Sequence, residues 1–215
     1  MIKRLIVFQT LLFTFAFIIN CSGKSLDENI CKITSIKSFN KESVSKINIE
    51  ISKERIADLK EFLKGKKYNQ ELAIFIDFKI PSSKFRFFLY DLKNDKILEK
   101  GLVAHGSGSE ISGSSELKFS NIENSYQSSL GKYEIANSYV GSFGRSYRLK
   151  GLDKTNNLAF KRAIVMHPLS CMQDVEQEYA SCLSWGCPML SQNFFDKVAK
   201  YIDASKKPII MYAFY

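Results

Sequence analysis

Three closely spaced segments rich in aromatic and β-branched residues constrain the fold of this 215-residue chain more than any other feature. They occupy residues 72–78, 84–92 and 96–106. Short polar turns at residues 81–83 and 93–95 separate them, so the sequence predicts three strands in meander order. Four further segments favour strands, at residues 131–139, 146–152, 162–167 and 208–215.

Two segments have helical periodicity instead. Residues 53–64 read as a short amphipathic helix ended by Gly65. Residues 191–205 read as a second helix, with Ser191 as the N-cap and an apolar face formed by Phe195, Val198, Ala199 and Ile202. The predicted fold class is therefore mainly β with a few helices, arranged as a barrel or sandwich of short strands.

The order of these segments predicts the domain organisation. The length and the 45% hydrophobic content allow one buried core with an N-terminal appendage. We expect a leader at residues 1–20, a spacer with a helical preface at 21–70, and one main domain at 71–215. A Gly/Ser-rich loop at residues 106–121 is too long for an ordinary hairpin connection, which favours a functional or mobile loop.

The N-terminus has the pattern of an export signal. Lys3 and Arg4 precede an apolar run at residues 5–19, as in a secretory leader; an uncleaved membrane anchor is the alternative. Cys21 then follows Asn20 in a stretch that resembles a bacterial lipoprotein lipobox, although Gly, Ala or Ser usually stands where Asn20 does. Cys21 is thus the predicted lipidation site, with simple secretion as the competing interpretation, and either outcome exports the chain.

The net charge of +9 is compatible with several partners. It suits an anionic polymer, an anionic membrane or a nucleic acid equally well, and scattered lysines on solvated faces explain it as simply.

The stretch 181–190, SCLSWGCPML, places Cys187 between Gly186 and Pro188. A cysteine attacks carbonyl groups as the thiolate, so it needs a nearby base or a positive field. His167 ends the apolar run AIVMH twenty residues earlier and could supply the base. Gly186 allows a tight turn, and backbone N–H groups there could receive an oxyanion. Each element also has a purely structural interpretation.

Taken together, these residues resemble a known family. His167 and the stretch Ser184–Pro188 are similar to the signature of YkuD-like L,D-transpeptidases, which cross-link the cell wall. Residues 76–109 and 119–167 resemble the strands of the branch called the murein L,D-transpeptidase catalytic domain family, so the likeness covers about residues 70–215. It implies a YkuD-like β-sandwich or barrel.

The resemblance also implies roles for particular residues. Cys187 would be the nucleophile and His167 its general base, and the backbone of Ser184, Trp185 and Gly186 would form the oxyanion region. Trp185 stands where the wider superfamily has a second histidine, and Pro188-Met189 replace a usual Ile-Arg. The lost arginine leaves open how a substrate carboxylate is held.

Candidates for substrate binding are the remaining histidine and a strand arginine. His105 could orient the site or bind substrate, and Arg148 or Arg145 could replace the lost arginine. A hydrogen-bonded histidine at a strand end and solvated strand charges are the competing interpretations.

The remaining cysteines bear on the same region. Besides Cys21 and Cys187, the chain has Cys31, Cys171 and Cys182. A bridge between Cys171 and Cys182 would clamp the loop between base and nucleophile, and export permits it. Cys31 would then be unpaired, so some pairings could be absent altogether.

The predicted function is that of an exported, lipid-anchored L,D-transpeptidase acting on peptidoglycan stem peptides. Its implied partners are those peptides and a membrane, not nucleic acid, and no metal or organic cofactor is expected. An L,D-carboxypeptidase would share every named residue, and a non-catalytic wall-binding lipoprotein is a further alternative. The C-x4-C spacing of Cys182 and Cys187 disfavours a thiol–disulfide oxidoreductase.

Overall fold

The computed structural model describes residues 51–215. The predicted leader, Cys21, Cys31 and the spacer up to residue 50 lie outside the described residues. Within the described part there are two α-helices, α1 (Lys53–Leu63) and α2 (Gln192–Ala204), and one 3-10 turn at Ser107–Ser109. The strands of this part are β1 (Leu72–Asp77), β2 (Phe87–Asp91), β3 (Lys96–Gly101), β4 (Gly131–Gly141), β5 (Gly144–Gly151), β6 (Val165–Pro168), β7 (Met189–Leu190) and β8 (Ile210–Phe214).

All eight strands form one sheet in the order β3-β2-β1-β8-β4-β5-β6-β7. The pairs β1–β8 and β6–β7 are parallel, and the other neighbouring pairs are antiparallel. After β3 the chain returns to the far edge, where the Ala104 N–H donates to the Met189 carbonyl of β7 at 3.0 Å. The sheet is thereby nearly closed, which confirms the predicted mainly β, barrel-like fold with a few helices.

Strand β1 is buried on both of its faces because successive side chains point to opposite sides of a sheet. Ile74 and Ile76 belong to the main core within the barrel. Ala73 and Phe75 belong to a second cluster together with Leu59 and Leu63 of α1. Burying each of those two leucines contributes roughly 1.5–3 kcal/mol, so α1 is fixed to the outer face of the sheet.

The second helix covers the other side of the core. Its predicted N-cap is confirmed, because Ser191 Oγ accepts a hydrogen bond from the Phe194 N–H at 3.1 Å. Phe195, Val198 and Ala199 are buried as the periodicity predicts, and Ile202 packs partly buried against the same core.

Several strand boundaries differ from the prediction by a few residues, and two of these differences have identifiable reasons. The third strand ends at Gly101, not at residue 106, because the chain leaves β2 and hydrogen-bonds to the β7 edge instead. Strand β6 begins at Val165, not at residue 162, because Ala163 has a φ of +54° and forms a turn with Phe160. The two-residue strand β7 carries too little periodicity to be found from the sequence.

No helix between residues 51 and 215 has the length and apolar character needed to cross a bilayer.

Candidate active site

The loop that carries Cys187 is hydrogen-bonded to the segment that follows β3. The Ser184 N–H donates to the His105 carbonyl at 2.9 Å, and the Ser107 N–H donates to the Ser184 carbonyl at 2.8 Å. Gly106 and Ser184 accordingly form an isolated parallel bridge. This seam closes the barrel three residues before the thiol and fixes the loop on that side.

Gly186 allows the loop to turn beneath Cys187. Its φ is +112°, and a Cβ atom there would lie 2.7 Å from the Gln127 carbonyl oxygen, so a larger residue would be strained and would clash. The Gly186 N–H donates to Ser184 Oγ at 3.0 Å. Within residues 51–215, the backbone N–H groups of Trp185 and Cys187 donate no hydrogen bond, which leaves them available to an incoming oxygen.

The thiol of Cys187 is partly buried and is the free cysteine among the described residues. Its Sγ atom receives the Val165 N–H at 3.5 Å and lies 3.9 Å from the Ala163 carbonyl oxygen. Burial raises the pKa of the thiol, while the Val165 N–H and the positive charge of Arg162 partly offset that rise by stabilising the thiolate. The resting group is therefore a thiol that needs a base during reaction.

Arg162 supports this site and was not found from the sequence. Its Nη2 donates to the Gln127 carbonyl at 2.6 Å, and its Nη1 donates to the Ser120 carbonyl at 2.8 Å. A Cβ atom on Gly186 would lie 3.3 Å from Nη2, so the guanidinium packs directly beneath the nucleophile loop. One side chain thus joins the 120–129 loop to the turn at Gly186 and supplies a positive field to the thiol.

His167 lies on β6 and is 2% exposed. Its Nδ1 is 3.1 Å from the Pro168 carbonyl oxygen, and its ring stacks on Phe143 with centroids 4.1 Å apart. A carbonyl oxygen can only accept, so Nδ1 carries the proton in this contact and Nε2 is left as the acceptor. Burial lowers the pKa of His167, and the bond to Pro168 partly offsets this. The ring is therefore a neutral base at neutral pH.

The predicted base and nucleophile lie on adjacent parallel segments. His167 pairs with Met189, whereas Cys187 contacts Val165, two residues before His167 on the same strand. No hydrogen bond joins Sγ to the imidazole among the contacts of the described chain. The two groups would have to approach when substrate binds, as catalytic hydrogen bonds often tighten only in the complex.

His105, the second predicted histidine, lies on the other side of the seam and is 4% exposed. Its Nδ1 is 2.8 Å from Nη2 of Arg86. Arginine can only donate, so Nδ1 is the acceptor and the proton of the neutral ring is on Nε2. Burial and, next, the charge of Arg86 lower the pKa of His105 to about 4.

The arginines considered for substrate binding occupy different environments. Arg145 forms an ion pair with Asp203 of α2 and donates to Tyr147 Oη, so it stabilises the barrel wall. Arg148 stacks over Tyr139 and Phe160, at 4.4 and 5.7 Å from the ring centroids. Arg148 pairs with Val165 in the sheet and is exposed, which leaves it beside the strand that contacts the thiol.

The loop between base and nucleophile contains a disulfide bond between Cys171 and Cys182, the pairing considered from the sequence. The bridge lies next to a small cluster that includes Ala104 and Met189. The loop is also tied to the β1–β2 connection by the Gln177 N–H, which donates to the Ser83 carbonyl at 2.9 Å. Its path is thus constrained by the disulfide bond and, between the two cysteines, by this hydrogen bond.

Residues 51–215 contain no group of three or more His, Cys, Asp or Glu side chains that could hold a metal ion.

The fold is a nearly closed β-barrel in which a cysteine follows a glycine turn and contacts a strand that carries a buried histidine. The family model for the L,D-transpeptidase catalytic domain matches residues 43–213, and the chain belongs to this family. The match begins before α1, so it includes the helix that the sequence resemblance alone did not reach.

Several solved structures are similar to this chain at low identity. An L,D-transpeptidase from Mycobacterium smegmatis is 14% identical, with a TM-score of 0.39, over 67% of this chain and 59% of the other. The helical cell shape determining protein Pgp2 from Campylobacter jejuni is 12% identical, with a TM-score of 0.44, over 74% of this chain and 54% of the other. The chain thus spans between about half and six tenths of these relatives' length. No curated protein sequence matches it.

Proposed function

We propose that the chain is a cysteine-dependent L,D-transpeptidase that acts on peptidoglycan stem peptides. The observation that carries the proposal is the environment of Cys187. It is a free thiol on a positive-φ glycine turn, with unoccupied backbone N–H groups at residues 185 and 187 and the charge of Arg162 beneath it. These are the components that acyl transfer through a thioester requires.

In the first half-reaction, His167 Nε2 takes the thiol proton and Sγ of Cys187 forms a bond to the carbonyl carbon of the third stem residue. The backbone N–H groups of Trp185 and Cys187 donate to the developing oxyanion. The C–N bond to the terminal D-alanine breaks, its nitrogen takes the proton from His167, and a thioester remains on Cys187.

In the second half-reaction, the amine of a neighbouring stem attacks the thioester carbonyl and gives a proton to His167. The C–S bond breaks, an amide forms, and the proton returns to the sulfur of Cys187. Water in place of the amine would give the L,D-carboxypeptidase outcome through the same residues, so the acceptor alone separates the two activities.

Incubation with a purified tetrapeptide muropeptide, followed by mass spectrometry of protein and products, tests the proposal. We expect an adduct on Cys187 and cross-linked products. Cys187→Ser should lose at least about a thousandfold in turnover, because the hydroxyl has a much higher pKa than the thiol for which the imidazole is suited. Ser181→Ala, six residues away in the same loop, is the matched control and should keep turnover.

The remaining outcomes of this experiment are also informative. Trimmed tripeptide without cross-links would indicate the carboxypeptidase. Wall binding without any adduct would support the non-catalytic lipoprotein. Turnover by Cys187→Ser within a few-fold of the unmodified chain would refute the role of Cys187.

We also propose that the chain is exported and held on a membrane by lipid at Cys21. This rests on the leader pattern at residues 1–20 and on the family's link to the cell wall. Acyl chains on Cys21 would give stable attachment, since two are sufficient. Cys21→Ser should therefore move the protein from the detergent phase to the aqueous phase or leave it unprocessed. A wild-type protein in the aqueous phase, with another mature N-terminus, would contradict the anchor.

A further inference from the structure

A cavity of about 1060 Å³ is lined in part by His105 and is not used by the reaction described above. The 110–117 loop forms one wall, and the β1–β2 connection forms another. Its buried polar wall includes Ser82, Arg86 and His105, with Glu110 near its edge. His105 connects the cavity to the active site, because its carbonyl accepts the N–H of Ser184.

One strong donor in this cavity has no acceptor. His105 Nδ1 accepts from Arg86, so the ring proton is on Nε2. Nε2 is buried and makes no hydrogen bond within the described part of the protein. An unpaired buried donor is unfavourable, and a ligand oxygen that displaced Glu110 from the edge of the cavity would satisfy it.

The cavity also contains a buried cation that makes no salt bridge with the described residues, although the charge of Asp77 lies near enough to stabilise it in part. Arg86 is 1% exposed, and its N–H groups donate to the carbonyls of Val103 and Ile80 and to His105, all of them uncharged. Burial lowers its pKa to about 9, so it remains cationic at neutral pH. It forms no ion pair within residues 51–215. Because burial outweighs the charge of Asp77 in setting this pKa, a further anion close to the guanidinium would be favourable.

Glu110 is the acid closest to the free donor, but it does not fill the place of a ligand. Its Oε1 is 3.7 Å from His105 Nε2, beyond hydrogen-bond distance, and its side chain is half exposed on the loop. It can rotate into water without a buried partner being lost. Glu110 would therefore compete with an anionic ligand for the same donor.

We propose that this cavity binds a carboxylate of the peptide substrate, with His105 Nε2 donating to the carboxylate and Arg86 supplying the positive field. The proposal rests on the proposed function, because it takes the ligand to be a stem peptide. It also gives a site for the substrate carboxylate in a chain where Pro188-Met189 follow the cysteine in place of Ile-Arg. The carboxylate is either the peptide C-terminus or a side-chain group.

Calorimetric binding to the full-length Cys187→Ser protein in detergent micelles tests the proposal without turnover. Three forms of one tetrapeptide are compared: the free acid, the C-terminal amide, and the side-chain amide. We expect one amide to bind about tenfold more weakly or worse than the free acid, which is the size of one hydrogen bond to a charged group. The weaker amide identifies which carboxylate occupies the cavity. Equal affinity for all three would overturn the proposal.

Variants at two positions sharpen this comparison. His105→Phe keeps a planar ring and removes the donor, so the difference between acid and amide should disappear. Glu110→Gln is the matched control; it removes the competing charge and should keep or enlarge the difference. If His105→Phe does not fold, the NMR signal of the His105 Nε2 proton in the ¹⁵N-labelled protein is measured instead. This signal should shift when the free acid is added and should not shift when the weaker-binding amide is added. An unchanged signal with the acid would also overturn the proposal.

The outcome is separable from that of the proposed function. A Cys187 adduct without discrimination between acid and amide would refute the carboxylate site and leave the transpeptidase intact. Discrimination that depends on His105, without any adduct in the unmodified protein, would support the carboxylate site and refute the transpeptidase.

Discussion

The two histidines are both buried in the barrel wall, yet their surroundings give them opposite hydrogen-bonding roles. The Nδ1 of His167 donates to a carbonyl, so its Nε2 can accept a proton. The Nδ1 of His105 accepts from Arg86, so its Nε2 can donate a hydrogen bond. One neighbour thus decides whether the same side chain can act as a base or as a donor.

The largest effect that this comparison predicts is on the base. His167→Ala should slow acylation of Cys187 by about a hundredfold or more, the usual contribution of a general base. It should also slow thiol alkylation near neutral pH, because the imidazole would no longer assist thiolate formation. Mass spectrometry of the adduct and a pH series with iodoacetamide would measure both rates.

His105→Ala is the control for that experiment, because its ring has the other tautomer and lies across the seam. We expect a clearly smaller effect on alkylation. If both variants have the pH profile of the unmodified protein, His167 is not the base; equal losses would show that the two rings are not functionally different.

A second prediction concerns stability in acid. The folded-state pKa of His105 is lowered to about 4, below the unfolded value of about 6.5, so the unfolded chain binds the proton more readily. The stability contributed by the neutral ring is fully present above pH 6.5 and is lost as the pH falls towards 4. His105 alone should lower the free energy of unfolding by up to about 3 kcal/mol over this range.

Urea unfolding at several pH values would measure this loss, and His105→Phe should reduce the slope because no group titrates there. His167 adds a change of the same sign, since burial also lowers its pKa. An unfolding free energy that is constant between pH 6.5 and 4 would contradict the buried, neutral state of His105.

The smallest predicted effect concerns the field at the thiol. Arg162→Met removes a positive charge that stabilises the thiolate, so the pKa of Cys187 should rise and alkylation at pH 8 should fall by a few-fold. Arg145→Met is the matched control, because Arg145 pairs with Asp203 instead. If the pH dependence of alkylation is unchanged in Arg162→Met, Arg162 does not stabilise the thiolate of Cys187.

Most of the sheet could be predicted from the sequence because its strands carry dense β-branched and aromatic patterns between clear turns. The second helix was equally readable, down to its N-cap at Ser191. The seam between residues 104–107 and 184–189 could not be predicted, since it depends on how a sheet of eight strands closes. Strand β7 has only two residues, too few to show any period.

Only part of the candidate site could be predicted from the sequence. Cys187, His167 and His105 stand out because histidines and isolated cysteines are rare in this chain. Arg86 and Arg162 do not, because 31 lysines and arginines are spread along it and most such residues are solvated. The only signal was local: Arg86 interrupts the aromatic run FRFF, and Arg162 directly precedes the run AIVMH.

The position of β8 has a consequence for how the protein opens and exchanges with solvent. This strand lies between β1 and β4, so it joins the three strands β1–β3 to the four strands β4–β7. Its residues are buried throughout. Its amide hydrogens should therefore exchange with deuterium only through global unfolding, whereas the short edge strand β7, which carries the chain away from Cys187, should exchange through local opening. Local opening is therefore expected in the segment next to Cys187, where acyl transfer is proposed to occur. The centre of the sheet is expected to open only when the whole domain unfolds.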